Sequence, residues 1–336
     1  MKRLISIFLR LLISGVLLAL LFREHDLISD IAPRLRALLT NWPWTSAGIA
    51  FAFLSLFLAA VRWHIILRGQ VPDLPFSIVL RTEIISAFFN ISSVGVVGGD
   101  TYKIMALSRC LPGQTMPVSV SLVLDHLTGL ISVAVLFAVC MLARASHWNE
   151  IGHDLRMLIT GYAMYVGGAL VGLIISWFSF KPSLLAWGRG AFPRTMGSPR
   201  LASLIARLSR IHEVAARLWQ RTLSAAVVST GMHAAFFLSF YCGLRAVGGV
   251  APVLDVLTAM PIVDAAASLP VSISGLGVRE RTFEALLAGL ANVPEAVGIS
   301  ASLAGWIFNL FWGIIGGVLF LRVRHAAILS PEAQCA

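Results

Sequence analysis

The stretch Ala267-Ser-Leu-Pro-Val-Ser-Ile-Ser-Gly-Leu-Gly-Val-Arg-Glu280 lies in an apolar part of the chain, yet it carries proline, three serines, two glycines and two charges. No plain lipid-facing helix is built this way. Irregular backbone is tolerated at membrane depth only where protein buries it or where it lines a wet cavity. A partner stretch sits 180 residues upstream without a gap: Ala87-Phe-Phe-Asn-Ile-Ser-Ser-Val-Gly-Val-Val-Gly-Gly-Asp100. Ala87 falls on Ala267, Ser92 on Ser272, Gly95 on Gly275 and Asp100 on Glu280. The same offset carries 45–62 onto 225–242 and 117–142 onto 297–322. One unit of span, broken hairpin and span therefore occurs twice, as repeat A over about 42–142 and repeat B over about 222–322.

Around these units the chain is poor in charge. Of its 336 residues 58% are hydrophobic and 12% charged, with a mean hydropathy of +0.85. A soluble domain carries about 25% charged residues, so a globular surface cannot be assembled here. A soluble enzyme, a nucleic-acid-binding domain and a disordered protein are excluded. Apolar segments at 4–22, 45–62, 117–142, 157–180, 222–246 and 297–321 can each cross ~30 Å of hydrocarbon. The first is interrupted by Arg10, but no small-residue cleavage site precedes Arg23, so 1–22 is expected as a retained span and not a signal peptide. The four cysteines show neither paired nor metal-like spacing.

Charge sets the expected orientation. The segment 181–221 holds Lys181, Arg189, Arg194, Arg200, Arg207, Arg210, Arg217 and Arg221 against Glu213 alone, whereas 23–44 and 143–156 each balance. The positive-inside rule puts that segment, the N-terminus with Lys2 and Arg3, and the tail with Arg322 and Arg324 on the cytoplasmic side. Six crossings satisfy all three, provided 76–98 and 253–291 enter and leave on one face. The expected fold is an all-α polytopic membrane protein, with about six full spans and two re-entrant or broken helical hairpins in an inverted repeat. It forms a single transmembrane domain over 1–325, with 326–336 as a tail.

The two elbows, Val94–Asp100 and Ser274–Glu280, are the first candidate site. Glycines such as Gly95, Gly98, Gly99, Gly275 and Gly277, with Pro270 before the second elbow, allow close backbone approach and can aim N–H groups at an anion. Asp100 with Lys103, and Arg279 with Glu280 and Arg281, are expected either to bind a phosphate-bearing headgroup or to pair across the hairpins. The competing reading is a tight turn between packed helices. Asp125 stands inside an apolar span and should face a cavity or a cation, for which His126, Lys103, Arg81 and Arg279 are candidates. Arg81, Glu83, Asn90 and Asp264 are secondary candidates, and for Glu83, Asp264 and Glu284 a structural ion pair or interhelical contact competes equally.

His233 and Asn309 read as helix–helix hydrogen bonds. Trp42, Trp44, Trp63, Trp148 and Trp177 read as an interfacial belt. Pro199–Trp219 has Leu201, Leu204, Ile205, Leu208, Ile211 and Leu218 at helical spacing, with arginines opposite. It is expected to lie on the cytoplasmic leaflet against anionic lipid. There is no Walker loop, no His-Glu-x-x-His pair and no Gly-x-Ser-x-Gly elbow. No cofactor and no metal are expected, and any transport would draw on a gradient or on the membrane potential.

Leu269-Pro270 through Gly275, Gly277, Arg279 and Glu280 resembles the L-P-x-x-x-x-G-x-G-x-R-E signature of the lysylphosphatidylglycerol synthase transmembrane domain family. That family includes the flippase half of the multiple-peptide-resistance factors and many stand-alone proteins. Gly99-Asp100-Thr-Tyr-Lys103 resembles its G-[DE]-x-x-[RK] element, and Asp125-His126 resembles its acid–arginine pair. Asn90 stands where the family commonly has proline, and His126 where it has arginine. The resemblance implies the lipid-handling membrane module alone, since the chain ends shortly after Arg324, before any aminoacyltransferase domain.

A lipid flippase of the bacterial inner membrane is the expected function. An amphiphile with an anionic or sugar-phosphate headgroup would cross between the two halves. Arg279, Arg281, Lys103 and the elbows would hold it, and Asp125 and Glu280 would balance the arginines or carry a proton. The alternatives are an intramembrane transferase using Asp125 or Glu280 as base, and a non-transporting partner of a lipid-modifying synthase that docks through the basic loop. Membrane lipid is the expected partner, and nucleic acid is not.

Overall fold

The computed structural model describes residues 25–92, 97–179, 199–269 and 272–329. The expected first span, Gly95, Pro270, the first part of the basic segment and residues 330–336 lie outside them. The described chain is all helical: α1 (His25–Thr40), α2 (Trp42–Leu67), α3 (Phe76–Ser92), α4 (Val97–Cys110), α5 (Thr115–Ala143), α6 (His153–Ser179), α7 (Pro199–Arg217), α8 (Trp219–Ala246), α9 (Val253–Ser268), α10 (Val278–Ala291) and α11 (Glu295–Leu329). Short 3-10 turns at Ala145–Glu150 and Ile273–Gly275 complete it. Five helices, α2, α5, α6, α8 and α11, are long and apolar enough to cross a membrane. The protein is an all-α polytopic membrane protein.

Two sequence expectations need correction at this level. The segment after residue 23, read as a connecting loop, forms α1, because Ile31, Leu35 and Leu38 recur at helical spacing and the first two pack on Ile299 and Leu303 of α11. The second span continues past residue 62 to Leu67. Trp63 and Leu67 are fully buried among Val79, Leu107 and Leu122, so Trp63 is a core residue and not part of an interfacial belt. Its indole Nε1 donates to Ser121 Oγ at 3.0 Å, as a buried indole N–H must find an acceptor.

The repeat is visible helix by helix. Moving α2, α3, α4 and α5 by 180 residues gives 222–247, 256–272, 277–290 and 295–323, which fall on α8, α9, α10 and α11. Packing follows the same correspondence: α3 rests on α11 as α9 rests on α5, and α2 on α3 as α8 on α9. The equivalent helices α2 and α8 pack directly against each other and run antiparallel. Asn41, just before α2, donates to the Arg245 carbonyl near the end of α8 at 3.1 Å. Arg62 reaches Ser229 Oγ at 2.9 Å, and Gly69 lies against Leu218. The two halves therefore have opposite senses along their shared axis.

Within each half the middle helices are short. They hold 17 and 14 residues in α3 and α4, and 16 and 14 in α9 and α10. At 1.5 Å per residue each is roughly 21–26 Å long, below the ~30 Å of a hydrocarbon core. Each pair folds back on itself, giving the two broken hairpins expected. The second turn needs left-handed backbone at Ser274 (φ 53°), Gly275 (φ 73°) and Gly277 (φ 85°). A Cβ on Gly275 would also stand 2.7 Å from that of Ala267.

Small residues let α11 seat against its neighbours. A Cβ on Gly316 would come 2.1 Å from the Ile84 carbonyl of α3, and one on Gly243 of α8 would come 2.9 Å from the Ala301 carbonyl. Such close backbone approach is what holds helices together where the solvent is as apolar as the side chains. The amphipathic α7 is present over nearly the range expected. Its apolar side is covered in part by protein, since Ile211, Val214 and Ala215 pack on Ile66, Val120, Leu124 and Ala225. A buried Arg144–Asp255 ion pair ties the end of α5 to the start of α9.

Candidate functional site

A cavity of about 390 Å³ opens between the two halves, lined from α2, α3, α4 and α5 on one side and from α8, α9, α10 and α11 on the other. Arg62 on α2 is buried in its wall. The Arg62 guanidinium grips Asp125 of α5 through two parallel bonds of 2.6 Å, Nε to Oδ1 and Nη2 to Oδ2. Its Nη1 turns to Ser229 of α8. A buried carboxylate persists only when it is both paired and hydrogen-bonded, and this fork satisfies both conditions. Ser229 joins the network to His233, whose Nδ1 lies 2.8 Å from the Ser229 carbonyl.

Next to it, Lys103 of α4 binds Glu83 of α3 at 2.8 and 2.9 Å with both side chains buried. The ammonium also lies 5.1 Å from the Trp63 ring centroid, a cation–π contact in a desolvated place. Asp100, at the start of α4, takes a third partner: its Oδ2 is 2.6 Å from His126 Nε2. On the opposite side, α9 and α10 contribute Asp264 and Arg279. Arg279 donates to the Ser274 carbonyl, and its Nε lies 3.7 Å from Glu280 with no hydrogen-bond partner of its own. Phe236, Phe240, Trp306 and Trp312 form an aromatic wall, and Asn309 shares it.

The structure thus brings Asp100, Lys103, Asp125, Arg279, Glu83, Asn90 and Asp264 into one cavity. It leaves Glu280, Arg281 and Arg81 out. Glu280 is wholly buried, and its Oε2 accepts the Gly277 N–H at 2.6 Å while Ser302 donates to Oε1 at 3.4 Å. Arg281 faces Glu295 and, at 3.8 Å, Glu284, on the outer side of α10. Arg81 lines a separate small pocket with Tyr102 and Ala106.

Nor do the elbows present these amides to the cavity. The Gly99 N–H is taken by Asn90 Oδ1 at 3.0 Å, and that of Gly277 by Glu280. A buried donor has to be satisfied in the resting protein, and each hairpin supplies its own acceptor. Gly98 lies beside Gly99 in the first turn of α4.

Residues 7–317 match the lysylphosphatidylglycerol synthase TM region. The chain belongs to this family. It is also 23% identical over 295 residues to a UPF0104 membrane protein of Pyrococcus horikoshii, covering 82% of this chain and 86% of that one.

In this member of the lysylphosphatidylglycerol synthase TM region family, Asp125 and His126 are separated by the helix that carries them. Successive residues of an α-helix point about 100° apart, so Asp125 turns to Arg62 and His126 to Asp100. None of the partners considered for Asp125 from sequence, His126, Lys103, Arg81 or Arg279, is the one it has. Arg62 stands at the end of the span that hydropathy marks over 45–62. The signal was present: Trp63, Ile65, Ile66 and Leu67 resume the apolar run after it, and an arginine inside a span requires an acid. The aromatic wall comes from residues far apart in the chain, with no local mark in the sequence.

Proposed function

We propose that this protein moves a lipid with a charged headgroup between membrane leaflets, the headgroup passing through the central cavity while the acyl tails remain in lipid. The observation that carries the reading is the placement of this charged, aromatic-walled cavity between two halves of opposite sense. Repeats of that kind, with broken helices at their interface, underlie alternating access in many transporters. Lys103 and Glu83, Asp100 and His126, and Arg279 are groups a polar headgroup can exchange bonds with as it passes. The Arg62–Asp125 fork is the fixed floor. We place the protein in a bacterial cytoplasmic membrane with both termini and α7 on the inner side, where the arginines of α7 meet anionic lipid.

The test is reconstitution in phosphatidylethanolamine–phosphatidylglycerol vesicles with a fluorescent phosphatidylglycerol probe quenched from outside. Faster loss of the protected pool than in protein-free vesicles supports the reading; equal rates defeat it.

A second reading, an intramembrane transferase, is favoured by one asymmetry. Asp100 faces the cavity, while Glu280, its counterpart in the repeat, is locked in a turn. Mass spectrometry of the recovered lipid separates the two readings, since a transferase returns altered lipid and a transporter returns it unchanged.

A further inference from the structure

Three acids of the cavity have partners: Asp125 on Arg62, Glu83 on Lys103 and Asp100 on His126. Asp264 of α9 lines the same cavity and, among the described residues, makes no hydrogen bond and no ion pair. The nearest cation, Arg279, is engaged by the Ser274 carbonyl and lies beside Glu280. The other charged and titratable groups of this cavity are Arg279 of α10, Asp125 and His126 of α5, and, in the pairs already described, Arg62 of α2, Glu83 of α3 and Asp100 and Lys103 of α4. Tyr162 of α6 is within electrostatic reach of Asp264. From α8 the cavity wall is Met232, Phe236 and Phe240, with His233 turned to Ser229. From the 3-10 turn there is Ser274, which does not titrate.

We propose that Asp264 binds the proton that couples lipid movement to a transmembrane proton gradient. The proposal rests on the transport reading above and deepens it. An intramembrane carboxylate that makes no hydrogen bond or ion pair is costly when charged and cheap when neutral, so its protonation changes which arrangement of the surrounding helices is favoured. The mechanical element is adjacent. Pro261, one turn before Asp264, sits inside α9 and lacks the N–H that would meet the Leu257 carbonyl, which weakens the helix there. The proton binds a carboxylate oxygen when the cavity opens to the acidic side and leaves when it opens to the other.

A metal cation fits less well. Hard cations need a shell of oxygens, and no group of three or more His, Cys, Asp or Glu residues suited to a metal occurs among the described residues. Arg279 also faces the same space.

Two measurements on the full chain in phosphatidylethanolamine–phosphatidylglycerol vesicles decide it. Dicyclohexylcarbodiimide reacts only with protonated carboxyls in apolar surroundings. Peptide mass spectrometry should find Asp264 modified at acidic pH, with the modification lost at alkaline pH. Fluorescent phosphatidylglycerol should cross faster under an imposed pH gradient, and in Asp264→Asn the rates with and without the gradient should be equal. Asp264→Glu should retain the acceleration.

Absence of modification at Asp264 at every pH overturns the proton site, whether or not lipid moves. Modification together with lipid movement indifferent to the pH gradient overturns the coupling and leaves transport standing, as does acceleration by a sodium gradient alone. A wild-type protein that moves no lipid fails the transport reading itself, and the coupling with it.

Discussion

The hairpins α3–α4 and α9–α10 correspond in order and, to within one residue, in length, yet they divide the labour unequally. The first brings its acids and bases into the cavity as a closed set, Glu83 on Lys103 and Asp100 on His126 of the next span. The second spends Glu280 on its own turn, points Arg281 outward, and leaves Asp264 and Arg279 facing the cavity. A shared fold fixes where a helix starts and which way it runs. It does not fix which side chain answers which need. In the first hairpin Asn90 accepts the Gly99 N–H and Asp100 turns to His126; in the second Glu280 itself accepts the Gly277 N–H.

The largest expected effect lies in the floor that both halves share. Arg62→Leu or Asp125→Leu strands a buried charge and should cost about 3–5 kcal/mol, seen as loss of monodisperse protein in detergent. The double change Arg62→Met with Asp125→Leu should recover much of the melting temperature, since a buried pair replaced by apolar groups is often neutral.

A Cβ at Gly316 collides with the Ile84 carbonyl. Gly316→Val should therefore lower stability by roughly 1–3 kcal/mol, and Gly313→Ala, whose clash is with the flexible end of Ile91, by less.

Asp100→Asn and Glu280→Gln set the two hairpins against each other. The first should leave the melting temperature within error and slow lipid movement. The second should lower stability by about 1 kcal/mol, since a neutral amide oxygen replaces the carboxylate that accepts the Gly277 N–H, with activity falling only as folded protein falls. Equal behaviour of the two variants in both assays would erase the division of labour described here.

The smallest effect belongs to Arg281. Its carboxylate partners are partly exposed and so is its own side chain, so Arg281→Ala should change stability by at most about 1 kcal/mol and leave lipid movement unaltered.

Much of this architecture was legible in the chain. The apolar runs marked the spans, and the common 180-residue offset marked the repeat. Glycine and proline marked the turns, and the spacing of α7 marked its amphipathic face. These are local or periodic signals, set by the cost of exposing polar backbone to hydrocarbon and by the 3.6-residue turn. The site was legible only in part. Asp125 announced itself as an acid in a span, but its partner lies 63 residues away and was assigned to a span end. Glu280 carried the strongest motif and proved to be a brace for the turn.

The sequence by itself determined that this chain enters a membrane, how many times its unit is repeated, and where its helices break. The tertiary structure alone decided which charges neutralise each other, which cavity acid makes no hydrogen bond or ion pair among the described residues, and which aromatic rings wall the cavity. Hydropathy is additive along a chain and can be read from it. Neutralisation requires two groups a few ångströms apart, and that distance is set by how helices remote in sequence pack.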